Sequence, residues 1–290
     1  MALATVISTW GSAPRPRGSH MLVHADGRFA GSVSGGCVEG DVLSLAGEVI
    51  AGGRFERRRY GVSDMSAFEA GLPCGGTIEV MVQPLAAGGF PPALFDMIVA
   101  GRAAGRTIAV ATDLATGESV VATADDTDAF VNRYTPQRRL FIVGAVQIAQ
   151  SLAVIARSLD IVPIVIDPRA RFLTEQRFPD TALDDRWPDE TIAAGKPDLA
   201  SAVVTLSHDP KIDDPALIAA LAHQTGYVAA LGSRRSHAAR RERLSAAGVS
   251  AADLDRIDGP AGIAIGAVGA AEVGLSIAAG MVAAWHRQAG

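Results

Sequence analysis

Cysteine is scarce in this chain: its 290 residues include two, Cys37 and Cys74. Two thiols cannot build a disulfide framework of the secreted kind, and they are too few for a zinc site made of cysteine alone. A reducing, cytoplasmic setting is therefore expected. No charge of one sign prevails either. The 26 Lys and Arg and 31 Asp and Glu leave a net charge of −5, and the basic residues are scattered. That balance argues against nucleic acid or an anionic membrane surface as partner. The opening "MALATVISTWGSAP" lacks a basic region followed by a long apolar run, so no secretory leader is expected. One stretch, 261–285, has the length and low charge of a membrane span. Glu272 near its centre and glycines at 262, 266, 269, 274 and 280 argue instead for a turn followed by a buried helix over 270–285. Glu272 would there be either a paired, buried carboxylate or a site residue.

Apolar material is plentiful, at 49% hydrophobic residues and a mean hydropathy of +0.24, over a length that accommodates two domains. The first half reads as strand-rich. "ATVIST", "HMLVHA", "RFAGSV" and "GTIEVMVQPL" are rich in Val, Ile and Thr and are separated by turn residues. Asp26-Gly27 lies between two of them and signals a hairpin. The octet "RPRGSHML" at 15–22 resembles the remnant of a cleavable tag. It is native, because "ATVISTWGSAP" precedes it and His20, Met21 and Leu22 run straight into that hairpin. Helical spacing over 38–50 puts Val42, Leu45, Ala46 and Val49 on one face, and a second helix is expected over 93–103. The polar stretch "DDTDAFVNRYTPQRR" reads as the domain boundary, giving domains at 1–135 and 136–290. Beyond it, apolar strands alternate with amphipathic helices. That rhythm specifies an α/β fold: a mixed α/β N-terminal domain and a C-terminal Rossmann-like, doubly wound parallel sheet.

"LFIVGAVQIAQSL" has the strand–turn–helix form of a dinucleotide loop. Gly144 supplies the first glycine, and Asp167 ends the next strand 23 residues on, where a ribose acceptor would sit. Val146 and Ala149 replace the other two glycines, and the branched Val146 opposes close approach of a pyrophosphate. In "VVTLSHDPKIDDPAL", His208 and Asp209 lie at a strand end, where parallel sheets bind ligands. His208 reads equally as an acid/base or phosphate donor and as a structural residue. Asp209, Asp213 or Asp214 would cap a helix starting near Pro215, with capping the preferred reading of the latter two. Gly232 and Ser233 with Arg234 or Arg235 form a candidate phosphate turn. Two cysteines sit beside glycine pairs, Cys37 after Gly35-Gly36 and Cys74 before Gly75-Gly76. Glycines permit close approach, and a helix start after Cys37 would favour its thiolate. Two small buried residues in turns is the competing reading. Arg15 and Arg17 offer cations in a Pro-Gly turn, or are simply solvated.

"GSAPRPRGSHMLV", "GSVSGGCVEGDV" and "GLPCGGTIEVMVQP" resemble the N-terminal signature of the XdhC/CoxI family, accessory proteins of molybdenum hydroxylases. "VIDPRARFLTEQRFP", "LSHDPKIDDPAL", "YVAALGSRRS" and the "GPAGIAIGA…AAEVGLSI" tail are similar to its C-terminal Rossmann domain. The resemblance implies a chaperone that binds molybdenum cofactor (molybdopterin), favours its sulfurated form and delivers it to an apo molybdenum hydroxylase. It implies Cys37 and Cys74 as thiols near the metal, with Gly35, Gly36, Gly75 and Gly76 shaping their loops. Arg15 and Arg17 correspond to the family's basic turn, and His208 and Asp209 to its Rossmann-edge motif. The cofactor would lie in a cleft between the domains. Many members have Gly-x-Gly-His where this chain has Gly144-Ala145-Val146-Gln147, which weakens the case for a bound nucleotide. A cysteine desulfurase as further partner and a homodimer complete the expectations. The alternatives are an NAD(P)-dependent oxidoreductase and a thiol-based sulfur transferase.

Overall fold

The computed structural model describes residues 1–61, 76–122 and 129–289. The chain divides into two compact units, Met1–Pro136 and Gln137–Gly290.

In the first unit, β1 (Ala2–Trp10), β2 (His20–Val23), β3 (Phe29–Gly31), β4 (Glu56–Tyr60) and β5 (Thr77–Pro84) form an antiparallel sheet in the order β3-β2-β1-β5-β4. Helix α1 (Glu39–Gly52) packs Val42, Leu45, Ala46 and Val49 against Ala2, Ala4 and Val6 of β1 and Ile78, Val80 and Val82 of β5. Strand side chains alternate, so the residues between them face the other way. Leu3 packs there with Leu94 and Ile98 of α2 (Ala93–Ala103), and Ile7 with Met81 and Phe130. That second face carries a three-stranded sheet, β7-β6-β8, made of β6 (Ile108–Asp113), β7 (Ser119–Val121) and β8 (Ala129–Tyr134). Two covered faces explain why β1 is buried without alternation from Ala2 through Ile7, and apolar there except for Thr5. Two strands depart from the sequence reading. β8 lies within the polar stretch read as a boundary, and β4, "ERRRY", was not expected. β4 is an edge strand with mostly exposed side chains, so its backbone is held by β5 while its sequence reads as solvated.

His20 ties the two sheets. Its Nδ1 lies 2.9 Å from Thr5 Oγ1 and its Nε2 2.8 Å from Tyr134 Oη, with the two rings stacked.

The second unit is one parallel sheet of six strands: β9 (Arg139–Val143), β10 (Val162–Ile166), β11 (Ala182–Asp184), β12 (Ser201–Thr205), β13 (Tyr227–Ala230) and β14 (Ile257–Asp258). Its order, β11-β10-β9-β12-β13-β14, is that of a doubly wound dinucleotide fold, reversing between β9 and β12. Leu140 and Ile142 of β9 face α3 (Gln147–Ser158) and α8 (Ala270–Ala289). Phe141 and Val143 face the other side, with α4 (Pro188–Gly195), α5 (Pro210–Leu221), α6 (Arg234–Ala246) and α7 (Ala251–Leu254). Among the described residues no helix is long and apolar enough to cross a membrane.

Helix α5 begins a turn earlier than expected, at Pro210, whose fixed φ suits the first helical position. Asp209 is its cap, accepting from Lys211 N at 2.9 Å. The capping role expected of Asp213 and Asp214 is therefore corrected. Asp213 is buried within the helix, and Asp214 pairs with Arg243. Glu272 is corrected too: it is exposed, and its carboxylate accepts from Val268 N at the start of α8.

Gly144 sits at the sheet reversal with φ +102°, and a Cβ there would lie 2.8 Å from Ser207 N. Gly144→Ala is expected to destabilise the protein by about 1–3 kcal/mol, read as a lower urea midpoint with unchanged slope. The buried His20 gives a second expectation. Burial lowers its pKa to about 4, against a small opposing contact with the Ala4 backbone. Since the unfolded chain takes up this proton near 6.5, stability should fall as pH drops from 6.5 through 4. Replacement of His20 by Gln should flatten that part of the melting profile.

Candidate functional site

Two places concentrate the residues singled out by sequence, one in each unit. In the first, the segment Ser32–Cys37 is folded over one carboxylate, that of Glu39 in the first turn of α1. Ser32 Oγ donates to Glu39 Oε1 at 2.5 Å, and the amides of Val33 and Ser34 donate to the same oxygen at 3.2 and 2.9 Å. Ser34 Oγ and the Gly36 amide donate to Oε2. Ser34 Oγ also accepts from Val38 N, and Ser32 Oγ from Gly35 N. Burial alone would raise the Glu39 pKa, but these hydrogen bonds outweigh it and hold the carboxyl at about 2. Gly35 and Gly36 take φ of +78° and +120°, a path that L side chains rarely follow. The loop so fixed delivers Cys37, a free thiol that is half-buried at the margin of the α1 core.

The turn at 12–14 borders this loop. A Cβ at Gly35 would lie 3.9 Å from Pro14 Cβ, and one at Gly76 would lie 2.7 Å from the Ser12 carbonyl oxygen. The described flanks of both cysteine motifs thus meet one turn. Cys74 and Gly75 lie outside the described residues. Arg15 is exposed on the same turn. Arg17 is anchored, its Nε donating to Ile7 O at 3.1 Å and its guanidinium lying 4.6 Å from the Phe130 ring centre. Among the described residues no group of three or more His, Cys, Asp or Glu could hold a metal ion.

The second place is the carboxyl end of the parallel sheet, where Gly144 and Ser207 come together. Asp167 is fully buried, and its oxygens are engaged within the protein. They accept from Ala145 N at 2.8 Å and from the Arg169 guanidinium in a bidentate pair, each bond 2.8 Å. Asp167 therefore holds the glycine turn where a ribose acceptor would be free. His208 takes a left-handed backbone, φ +63°, unusual for a residue with a side chain. It borders a cavity of about 410 Å³ whose other walls include Val146, Ile148, Leu206, Leu231 and Val273.

A buried brace supports two of those walls. Asp213 Oδ1 accepts from Ser207 Oγ at 2.7 Å, and Arg240 Nη2 donates to the Leu231 carbonyl at 2.9 Å. Asp213 and Arg240 are 2% and 4% exposed. Burial pushes the Asp213 pKa up and that of Arg240 down, each moderated by the other's charge. At the neighbouring strand end, Ser233 accepts from Ser236 N and so caps α6, with Arg234 and Arg235 exposed beside it. Sequence reasoning missed Glu39 as the organiser of the cysteine turn. Its signal was a pair of serines and a pair of glycines before an acidic first helical turn.

A doubly wound dinucleotide-type sheet joined to a mixed unit with a thiol-bearing glycine turn defines the class of this protein. The chain belongs to the XdhC and CoxI family. Residues 1–61 match the XdhC and CoxI family, and residues 140–281 the XdhC Rossmann domain. The molybdenum cofactor insertion chaperone PaoD of Escherichia coli (strain K12) is 31% identical over 278 residues, spanning 96% of this chain and 81% of that protein. A protein of Bacillus subtilis (strain 168), named as a probable subunit of xanthine dehydrogenase, is 25% identical over 310 residues, spanning 97% and 92%. The crystal structure of a xanthine dehydrogenase from Bacillus halodurans shares the fold, with a TM-score of 0.82 at 24% identity over 99% of this chain and 92% of that one.

Glu39→Gln replaces an acceptor pair facing five donors with one acceptor and one donor. It is expected to destabilise the protein by about 1–3 kcal/mol and to speed alkylation at Cys37, followed by peptide mass spectrometry. Because the folded carboxyl titrates at about 2 and the unfolded one at about 4.5, its contribution is complete above 4.5 and is lost as pH falls through 2. That acid limb should be missing from the variant.

Proposed function

We propose that this chain binds molybdenum cofactor as cargo and passes it, in sulfurated form, to an apo molybdenum hydroxylase of the xanthine dehydrogenase kind. The observation that carries this reading is the Cys37 turn, in which a buried carboxylate fixes five loop donors and leaves one thiol half-exposed at the end. A thiol is the soft ligand that a sulfur-rich molybdenum centre favours. Cys74, from the matching motif, supplies the second, and Gly35, Gly36, Gly75 and Gly76 give the loops their shape. Arg15 and Arg17 bring positive charge to the adjacent turn, suited to the phosphate of a pterin cofactor. The named role of the Escherichia coli relative supports the choice of cargo. A cysteine desulfurase is the sulfur source in this reading, and the protein acts in the cytoplasm, where such thiols stay reduced.

Dinucleotide chemistry fits less well. Val146 stands where a pyrophosphate needs bare backbone, and Asp167 already has its partners. Gly144, Asp167 and Asp209 then serve to frame the sheet edge, and His208 lines the cavity beside it. Delivery needs no covalent step on this chain, which favours a carrier over a turnover enzyme.

The test is anaerobic co-expression with the cofactor pathway, purification of the full chain, and measurement of molybdenum and pterin per chain. Cys37→Ala and Cys74→Ala are each expected to lower bound molybdenum by at least about tenfold without changing the melting temperature. Full molybdenum content and undiminished activation of an apo-hydroxylase by both variants would overturn the reading.

A further inference from the structure

The tail that joins β14 to α8 presents apolar side chains to solvent. Ile263, Ile265 and Leu275 are 47%, 44% and 50% exposed, and Val268 is 82% exposed. They form one patch. Ile263 N donates to the Ser276 carbonyl at 3.3 Å, and Ser276 Oγ returns a bond to Ile263 O at 2.6 Å, which sets Ile263 beside Leu275. Val268 N donates to Glu272, one turn before Leu275. Ala271 is exposed on the same helical face as Leu275. Between Gly259 and Trp285 the sequence holds one charged residue, Glu272, and that backbone amide engages its carboxylate. Elsewhere in the unit, exposed apolar residues such as Trp187 and Leu199 stand among charged neighbours in the sequence, as single surface residues commonly do.

The patch is held in place by its own backbone. Hydrogen bonds fix it at Ile263, at Val268 and at Gly262, whose amide donates to Asp258 Oδ2 at 3.2 Å. An apolar surface fixed in this way loses little freedom when another surface covers it. The exposures amount to about 400 Å² of apolar area, within the range of patches that bind proteins. A permanent homodimer buries roughly 1,000 Å² or more of each partner, about 65% of it apolar. This patch falls short of that and matches the apolar centre of an interface that forms and releases. It is also continuous with the candidate site. Gly269, Ala270 and Val273, which lie between Val268 and Leu275, line the cavity of about 410 Å³.

We propose that this patch is the docking face for the apo-hydroxylase, which meets it with an uncharged, apolar counter-face. The proposal rests on the carrier reading above and deepens it by naming the surface at which cargo is handed over. Such a handover needs a contact that is specific and brief, and a small apolar patch on a fixed backbone meets both demands. With no free charge in the patch, the association should change little with salt. Docking through exposed arginines of the first unit, such as Arg15 and Arg59, would instead weaken as salt rises.

The test measures association of the full chain with xanthine dehydrogenase made without its cofactor, by interferometry at about 0.05 and about 0.5 M sodium chloride. A similar Kd at both is expected. Val268→Lys and Leu275→Lys should each weaken association by at least about tenfold, with unchanged melting temperature and molybdenum content. Both positions face solvent, and a lysine at 275 stands three residues after Glu272, a favourable helical pairing. Val268→Leu, which keeps the apolar character, should bind as the parent does. Sedimentation of the chain alone tests for a second copy. A dimer that both lysine variants dissolve would assign the patch to self-association and overturn the proposal. Co-sedimentation with phosphatidylcholine vesicles, lost in both variants, would assign it to lipid and overturn it likewise. So would no association of the parent chain, loss of binding at high salt, or full binding by both lysine variants. The two readings are separable. If both lysine variants bind fully while Cys37→Ala loses molybdenum, the carrier stands and the docking face falls. If they lose association while Cys37→Ala keeps its molybdenum, the face stands and the thiol reading falls.

Discussion

The Glu39 carboxylate is the constraint on which the thiol turn depends. A loop containing two adjacent glycines has much conformational freedom to lose, and Val33 is its one fully buried apolar side chain. Five donors converging on one buried acceptor group supply the missing order. The charge also sits in the first turn of α1, where the helix dipole favours it. Buried, it would be costly without those partners; with them it turns a flexible peptide into a fixed presentation of Cys37. The order of the thiol turn is thus tied to one ionised side chain.

The second unit uses the same device at the sheet reversal. Asp167 binds the glycine turn through the Ala145 amide, and Asp213 binds the next strand end through Ser207. Gly144 lets these two loops approach to a distance that any side chain would prevent. Buried carboxylates, each with stated donors, therefore shape both candidate sites. Such groups are stabilising only while every partner is present, which makes these loops sensitive to single substitutions at positions far from a bound molecule.

Much of this was legible in the sequence, and the exceptions have physical causes. The parallel half announced itself because strands covered on both faces, such as "LFIV" and "VVTL", are almost wholly apolar. The helix over 39–52 was readable from Val42, Leu45, Ala46 and Val49. β4 was not, because an edge strand is held by its backbone and its "ERRRY" side chains face water. β8 was hidden likewise, with Phe130 its one buried side chain amid polar neighbours. Asp213 was read as a cap because three acidic candidates precede one helix, and only the fold reveals that Asp209 has the required position. In the sequence Glu39 is indistinguishable from an ordinary acid in a first helical turn. Its role depends on where five donors arrive, which no spacing rule encodes.

The bidentate pair of Asp167 with Arg169 has an implication for how this fold can change. In a dinucleotide-binding relative of the same architecture, the acid at this strand end greets an incoming ribose. Here it has become an internal strut, sealed from solvent and shared with the turn it supports. Replacing Val146 with glycine would clear a path for a pyrophosphate, yet the sugar would meet a carboxylate with no lone pair to spare. Freeing that carboxylate by removing Arg169 would in turn loosen the turn and leave a buried charge underpaired. Nicotinamide chemistry on this scaffold would therefore have to be reached through an intermediate worse at both tasks, and the fold is committed by its own mortar.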